Sequence, residues 1–429
     1  MKILIVSCFF PPRNSIASLR PYSWAKYWAA MGHEVVVLTT YKTPQDNDLN
    51  LVIDGFKVIE VKTYIFEKVK PLRARFFGTS QMASVEKKDS NTSLNLLKKM
   101  LVWLNERRKE RGVACSARMP DIYDLWKTSA IKSVEHEKWD LIVSTHGPYV
   151  CHSIAYELKK RGLTKKWIAD YRDLWTQNHF FKGLFPFTIL EKRLEQKYNK
   201  AADIITTVSE PLKEKLSIQK VYVIENGFDI DDLKNISKKP IFDNKKIRIV
   251  YTGAIYKTRQ DPSPLFKAIA QLKNSPDASL LKQLEVLFVG GSMGDLTELI
   301  GKYEVEEYVK YGGLISHDDA LRMQRDAHAL LLLEVNNEDG ILTGKLFEYL
   351  CSGTPIWGVG VSKKIGPEKL IEQYKAGINF GNDDKKILDD LKKLLIDASK
   401  KPVVVSEEVL QKYTRKYLAE KLIKLTNDE

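Results

Sequence analysis

The chain is short of cysteine, of long apolar runs and of acid relative to base. Its four cysteines, Cys8, Cys115, Cys151 and Cys351, lie far apart, without a Cys-x-x-Cys pair or a Cys/His cluster. That spacing excludes a disulfide framework and a zinc site, and leaves isolated, mostly core thiols of a reducing compartment as the expectation. No stretch reaches the ~18–20 apolar residues that a spanning helix needs. The opening apolar run at 3–6 is followed at once by Pro11-Pro12-Arg13, with no small-residue cleavage site, so it reads as a buried first strand and not as a signal peptide. A cytoplasmic protein is expected, with any membrane contact peripheral. Acids number 55 against 68 basic residues in 429, and the formal charge of +13 calls for an anionic partner or surface. Nucleic acid and anionic lipid are the two classes to weigh.

What the chain does have is a regular alternation of short apolar runs and amphipathic stretches, the pattern of parallel sheets wrapped by helices. Strands are expected near 2–8, 34–40, 56–62, 140–145, 166–170, 203–208 and 221–225, then near 247–252, 284–290, 308–312, 327–335, 354–359 and 376–380. The opening pattern occurs twice. Lys2-Ile3-Leu4-Ile5-Val6-Ser7 leads through a loop of proline and small residues into a helix, and Lys246-Ile247-Arg248-Ile249-Val250-Tyr251-Thr252-Gly253 does the same. An α/β fold of two Rossmann-like, doubly wound domains facing across a cleft accounts for this. The first domain is placed at 1–235 with an insertion at 64–135, the second at 236–404, and a C-terminal helix at 405–429 packs back toward the first. The Lys/Asp/Asn-rich segment 229–246 reads as the linker. Ligands of such folds gather at the C-terminal ends of the strands.

Within the insertion, Leu94, Leu97, Leu101 and Leu104 form one helical stripe, with Trp103 near its edge and basic residues crowding the rest through Arg111. Such a helix can lie on an anionic membrane, or pack on its own domain with a solvated basic face. Arg73-Ala74-Arg75-Phe76-Phe77 and Phe180-Phe181-Lys182-Gly183-Leu184-Phe185-Pro186-Phe187 repeat the mix of base and aromatic. The second, broken by glycine and proline, is a loop that can touch a lipid tail or bilayer near the active cleft; core packing is the safer expectation for any one of its phenylalanines.

The most informative segment is Thr343-Gly344-Lys345-Leu346-Phe347-Glu348-Tyr349-Leu350. A strand ending in Leu330-Leu331-Leu332-Leu333 leads through a polar loop into this short helix. Gly344 permits close approach to the helix start, where free N–H groups and the positive dipole end favour phosphate. Lys345 and Glu348 share one helical face, while Leu346, Phe347 and Leu350 can face a core. A cation for phosphate and a carboxylate for vicinal ribose hydroxyls together suit a sugar nucleotide.

With these residues assembled, the chain resembles a bacterial glycosyltransferase of family 4, with two Rossmann-like domains in the GT-B arrangement. The matching pieces run in order: Phe9-Phe10-Pro11-Pro12, Arg20, Gly32-His33-Glu34, Asp170-Tyr171-Arg172-Asp173-Leu174-Trp175, Ala202-Asp203-Ile204-Ile205, Glu225-Asn226-Gly227, Tyr251-Thr252-Gly253 and Gly344-Lys345-Leu346-Phe347-Glu348. The resemblance implies transfer of a sugar from a UDP or GDP donor, with retention and without metal or other cofactor, to a saccharide or lipid-linked acceptor in surface-polysaccharide assembly. It puts the donor mainly on the second domain and the acceptor mainly on the first. Two departures stand out: Gly340 is found where the family often has its first glutamate, which blurs the donor sugar's identity, and Ser15-Ile16-Ala17-Ser18 holds the place of its Gly-Gly loop, where small residues still allow backbone approach but less freely than glycine.

The same resemblance assigns roles. Lys345 and Arg259 meet the departing phosphate, with Lys257 as rival to Arg259. Glu348, Gly344, Thr343, Gly253 and Leu314 complete the donor site. His146, in Ser144-Thr145-His146-Gly147-Pro148, lies near the transferred sugar or is held structurally by nearby backbone. Arg20, Asp170 and Asp173 bind acceptor hydroxyls, the alternative for the two acids being a buried Asp–Arg pair. Asp46-Asn47-Asp48 has metal-binding spacing but reads as turn chemistry, and no metal is expected. His33 and His328 are expected to be structural. An epimerase or hydrolase of nucleotide sugars is the rival enzyme. Nucleic-acid binding ranks low, since the basic residues are spread along the chain and no recognised motif accompanies them.

Overall fold

The structure is a computed structural model. It describes all residues except 44–48, 50, 63–102, 104, 109, 179–180, 217, 219, 256–259, 292, 334–342, 361–365, 398, 400–401 and 428–429. The chain divides into two compact units, Met1–Ile224 with Ala419–Glu429, and Glu225–Leu418.

The first unit holds a parallel seven-stranded sheet in the order β3-β2-β1-β4-β5-β6-β7. Its strands are β1 (Lys2–Val6), β2 (Glu34–Thr40), β3 (Lys57–Val61), β4 (Trp139–Thr145), β5 (Thr164–Tyr171), β6 (Ile204–Thr207) and β7 (Val221–Val223). Burial follows that order. The central strands are apolar without alternation because both faces are covered: Ile3 to Val6 and Leu141 to Val143 are buried throughout. The edge strands are more open: β3 has only half-buried and exposed positions, and β7 has one buried position. After β1 the chain enters the helix Ile16–Ala30, capped by Ser15, whose Oγ accepts from the Ala17 N–H at 3.2 Å. Trp24 and Trp28 stack on it at 5.9 Å, and the Trp28 indole N–H donates to the Ala419 carbonyl at 2.9 Å, tying the C-terminal segment to this unit.

The second unit holds a parallel six-stranded sheet in the order β10-β9-β8-β11-β12-β13. These are β8 (Ile247–Thr252), β9 (Leu284–Val289), β10 (Val309–Tyr311), β11 (Ala329–Leu333), β12 (Ile356–Val359) and β13 (Gly377–Gly381). Alternate residues serve opposite faces, as the pleat requires. Ile249, Tyr251, Leu331 and Leu333 pack with Phe266, Ile269 and Leu391, from the helices Ser263–Lys273 and Asp384–Ile396. Val250, Leu330 and Leu332 pack with Leu346, Phe347 and Leu350 of the Gly344–Ser352 helix on the other face. Strand order reverses direction at β1/β4 in the first sheet and at β8/β11 in the second. At those points successive loops diverge and leave a crevice beyond the strand ends.

Each expected strand is present. The segment 229–246 contains the helix Ile230–Asn235, with Asp229 accepting from the Asp231 N–H at its start. Two expectations change. The thiols are not all isolated: Cys8 and Cys151 meet in the core with Sγ atoms 3.7 Å apart, brought together by neighbouring β1 and the helix after β4. Phe185, expected in packing, is 75% exposed. The Leu94-to-Leu104 stripe, Arg73 to Phe77, Asp46 to Asp48 and Phe180 lie outside the described residues. Among the described residues, no helix is long and apolar enough to cross a membrane.

Candidate functional site

In the second unit the reversal point lies where β8 ends at Thr252-Gly253 and the helix Gly344–Ser352 begins. Thr343 stands at the N-cap without a side-chain capping bond, so the first turn's N–H groups are left to other partners. Gly344 is buried at the helix start, and Leu346, Phe347, Tyr349 and Leu350 are buried against the sheet. Their anchoring turns Lys345 back over the strand ends. Its Nζ lies 3.7 Å from the centroid of the buried Tyr251 ring, a cation–π contact that fixes the ammonium on the reversal point. Gly253, at φ +123°, lies directly beneath: a Cβ there would fall 2.9 Å from Lys345 Nζ. The missing side chain makes the room in which the lysine head sits.

Glu348 lies one turn on and is half-buried. Gln324, a buried residue of the helix His317–Asp326, donates from Nε2 to Glu348 Oε2 at 3.3 Å and to Thr252 Oγ1 at 3.0 Å. The Thr252 N–H in turn donates to Tyr349 Oη at 3.0 Å. The carboxylate is thereby held to the end of β8 through a side-chain relay. His317, half-buried, would lose basicity by burial alone, but the Asp232 carboxylate at 3.3 Å and the Glu348 charge outweigh this and raise its pKa. Gln324 and His317 carry no signal in the sequence, because both reach the site from a separate helix. Leu314, in the loop after β10, is exposed and lies beside Gly291 at the same edge. Lys257 and Arg259 lie outside the described residues.

In the first unit the ends of β4 and β5 bring His146, Asp170, Arg172 and Asp173 together. Arg20 and Asp170, 150 residues apart, form a buried bidentate pair, Nε to Oδ2 at 3.1 Å and Nη2 to Oδ1 at 2.7 Å. Thr145 and Thr206 hydroxyls donate to the same carboxylate at 3.0 and 2.8 Å. Its lone pairs are engaged, leaving it nothing to offer an acceptor hydroxyl. Asp170 thus takes the buried Asp–Arg arrangement that was the alternative for the two acids, with Arg20 and not Arg172 as the partner. Arg172 pairs with the more exposed Asp173 at 3.2 Å and lies against Gly147.

His146 is buried against Tyr171, Trp175 and His152, its ring 5.7–6.0 Å from theirs. Among the described residues neither ring nitrogen has a hydrogen-bond partner of good geometry. Burial and then the Arg172 guanidinium lower its pKa to about 3, although the Asp173 backbone acts weakly the other way. It is neutral at pH 7. His33 and His328 both meet backbone nitrogens: His33 Nδ1 lies 3.3 Å from the Met1 amine, and His328 Nδ1 accepts from the Arg248 N–H of β8 at 3.1 Å.

No protein-family model matches this chain, and no curated protein matches it in sequence. Solved structures do match. Sucrose-phosphate synthase from Thermosynechococcus elongatus has a TM-score of 0.62 at 14% identity, covering 100% of this chain and 98% of its own. A variant of S. aureus TarM in complex with Fondaparinux, alpha-GlcNAc-glycerol and UDP has a TM-score of 0.61 at 12% identity, covering 100% of both chains. Trehalose-6-phosphate synthase OtsA has a TM-score of 0.61 at 10% identity, over 99% of this chain and 98% of its own. The chain has their fold. It is the two-domain α/β fold of GT-B glycosyltransferases, and at these identities the likeness is one of fold alone.

Proposed function

We propose that this chain is a glycosyltransferase that moves a sugar from a UDP- or GDP-type donor, with retention and without a metal, to a saccharide or lipid-linked acceptor in bacterial surface-polysaccharide assembly. The donor is assigned to the second unit and the acceptor to the first, on the cytoplasmic side of the membrane. The observation that carries the reading is Lys345, seated over Tyr251 and Gly253 at the reversal point, with an uncapped helix start behind it and Glu348 one turn on.

Departure of a nucleoside diphosphate builds negative charge on the leaving oxygen and positive charge on the sugar. Lys345 and the first-turn N–H groups meet the growing negative charge, where fixed cations and dipoles act most strongly in the transition state. Lys257 or Arg259 supplies a second cation by resemblance. Glu348, aimed by Gln324, accepts from the ribose hydroxyls. Neutral His146 can offer only a hydrogen bond, not the proton of an ordinary imidazolium.

A thermal-shift screen of nucleoside diphosphates and nucleotide sugars tests the reading, since a ligand bound only by the folded state raises apparent stability. At least one nucleotide should raise Tm, and Glu348→Gln should reduce that rise while its ligand-free Tm stays near the parent's. A screen without any stabilising nucleotide would overturn the proposal; an unchanged shift in Glu348→Gln would remove the ribose role.

A further inference from the structure

One face of the helix His317–Asp326 carries two side chains toward the candidate donor site. His317 and Gln324 are seven residues apart, close to two turns, and so lie in line along the helix. Gln324 donates to Glu348 Oε2 at 3.3 Å and, among the described residues, gives that carboxylate its one hydrogen bond. His317 sets its Nε2 3.3 Å from Asp232 Oδ2, on the helix Ile230–Asn235. The two side chains of this pair are 32% and 28% exposed, so the proton between them can exchange with solvent.

Three packed elements bring charge to His317: Asp232, Glu348 of the helix Gly344–Ser352, and buried Arg415 at the start of the helix Arg415–Lys424. Its own first turn adds Asp318, which is exposed, and Asp319, engaged by Arg322 at 3.0 Å. Burial works against the imidazolium and Arg415 repels it, but the hydrogen bond to Asp232 and the charges of Glu348 and Asp232 prevail and raise its pKa above 6.5. With the proton in place, His317 and Arg415 balance Asp232 and Glu348. Without it, this group of four is net negative, and Glu348 lies one helical turn from Lys345, where the diphosphate is assigned. Partly buried charges are screened much less than exposed ones, so the proton acts on an anion bound there.

We infer that His317 is a positioning residue for the donor: its proton, held by Asp232, offsets the charge of Glu348 and makes nucleotide binding depend on pH. This role rests on the donor reading of Lys345 and Glu348.

Calorimetric titration with UDP-glucose and GDP-mannose, whose diphosphates keep a constant charge near neutrality, reads the effect. Affinity should be highest below the His317 midpoint and fall roughly fivefold as pH rises through it. Reciprocally, saturating nucleotide should raise that midpoint by about 0.7 pH units, the same factor. His317→Gln, which can still donate to Asp232, should bind at every pH as the parent does at high pH. His317→Lys, a cation throughout, should bind tightly without the slope. In the ligand-free protein the His317 imidazole, followed by NMR, should titrate above 6.5, and lower once Glu348→Gln removes a charge. A midpoint at or below 6.5, a pH profile that His317→Gln leaves unchanged, or equal weakening in His317→Gln and His317→Lys would overturn the role and leave the donor site standing. Absence of binding by either nucleotide at every pH would overturn the donor reading, and this role with it.

Discussion

Replacing Gly253 by alanine tests the Lys345 assignment without altering any charge. The new Cβ would lie 2.9 Å from Lys345 Nζ and 3.0 Å from Cε. Ordinary contacts between such atoms are about 3.5–4.0 Å, so the ammonium must move by roughly 0.5–1 Å. The obstacle is the far end of a flexible side chain, so the clash is relieved cheaply; the larger stability cost comes from alanine at φ +123°. A residue held in such a region costs of order 1–3 kcal/mol. The catalytic cost should be greater, since displacement of a positioned group by about 1 Å can lower the rate ~10²-fold. Lys345→Ala sets the floor, with ~10²–10³ lost if the ammonium stabilises the leaving group. Gly32→Ala is the control: φ is +83°, with nothing within 4 Å of the new Cβ, so it should lose stability and keep its rate. Single-turnover rates on folded enzyme, with Tm measured alongside, decide the matter. A Gly253→Ala rate within a few-fold of the parent, with Tm lowered as in Gly32→Ala, would mean that the diphosphate lies elsewhere.

Two further tests concern the first unit. His146 has its pKa lowered to about 3 from 6.5, so stability present above pH 6.5 should fall away as pH drops toward 3, because only the unfolded chain takes up that proton. At pH 5 this amounts to about 2 kcal/mol, and His146→Phe should flatten the fall of Tm between pH 7 and 5; an unchanged acid slope would refute it. Asp170→Asn leaves Arg20 buried without its counter-charge and should destabilise the unit by about 3–5 kcal/mol in denaturant titration, whereas a midpoint like the parent's would show that the pair is dispensable.

Much of this molecule is legible in its sequence, for a physical reason. Strands covered on both faces must be apolar without interruption, so runs such as Ile3 to Val6 and Leu330 to Leu333 announce themselves, and the helix after Gly344 shows its buried face by spacing alone. Side chains that meet across the fold leave no such trace. The pairing of Arg20 with Asp170, the contact of Cys8 with Cys151 and the hold of Gln324 on Glu348 depend on which strands become neighbours, and no periodicity encodes strand order. The acids of Phe187–Ala201 make the same point: as a sequence the helix is a mixture of acid, base and apolar residues. Only packing against Arg118 and Thr176 turns its two glutamates inward and leaves cations and aliphatic groups facing out. Local pattern thus determined the elements and the position of the helix start at Gly344, because backbone geometry acts over a few residues. The pairings, the burial of charge and the exposed basic surface were decided by tertiary structure, because they follow from distances between segments that the chain brings together only when folded.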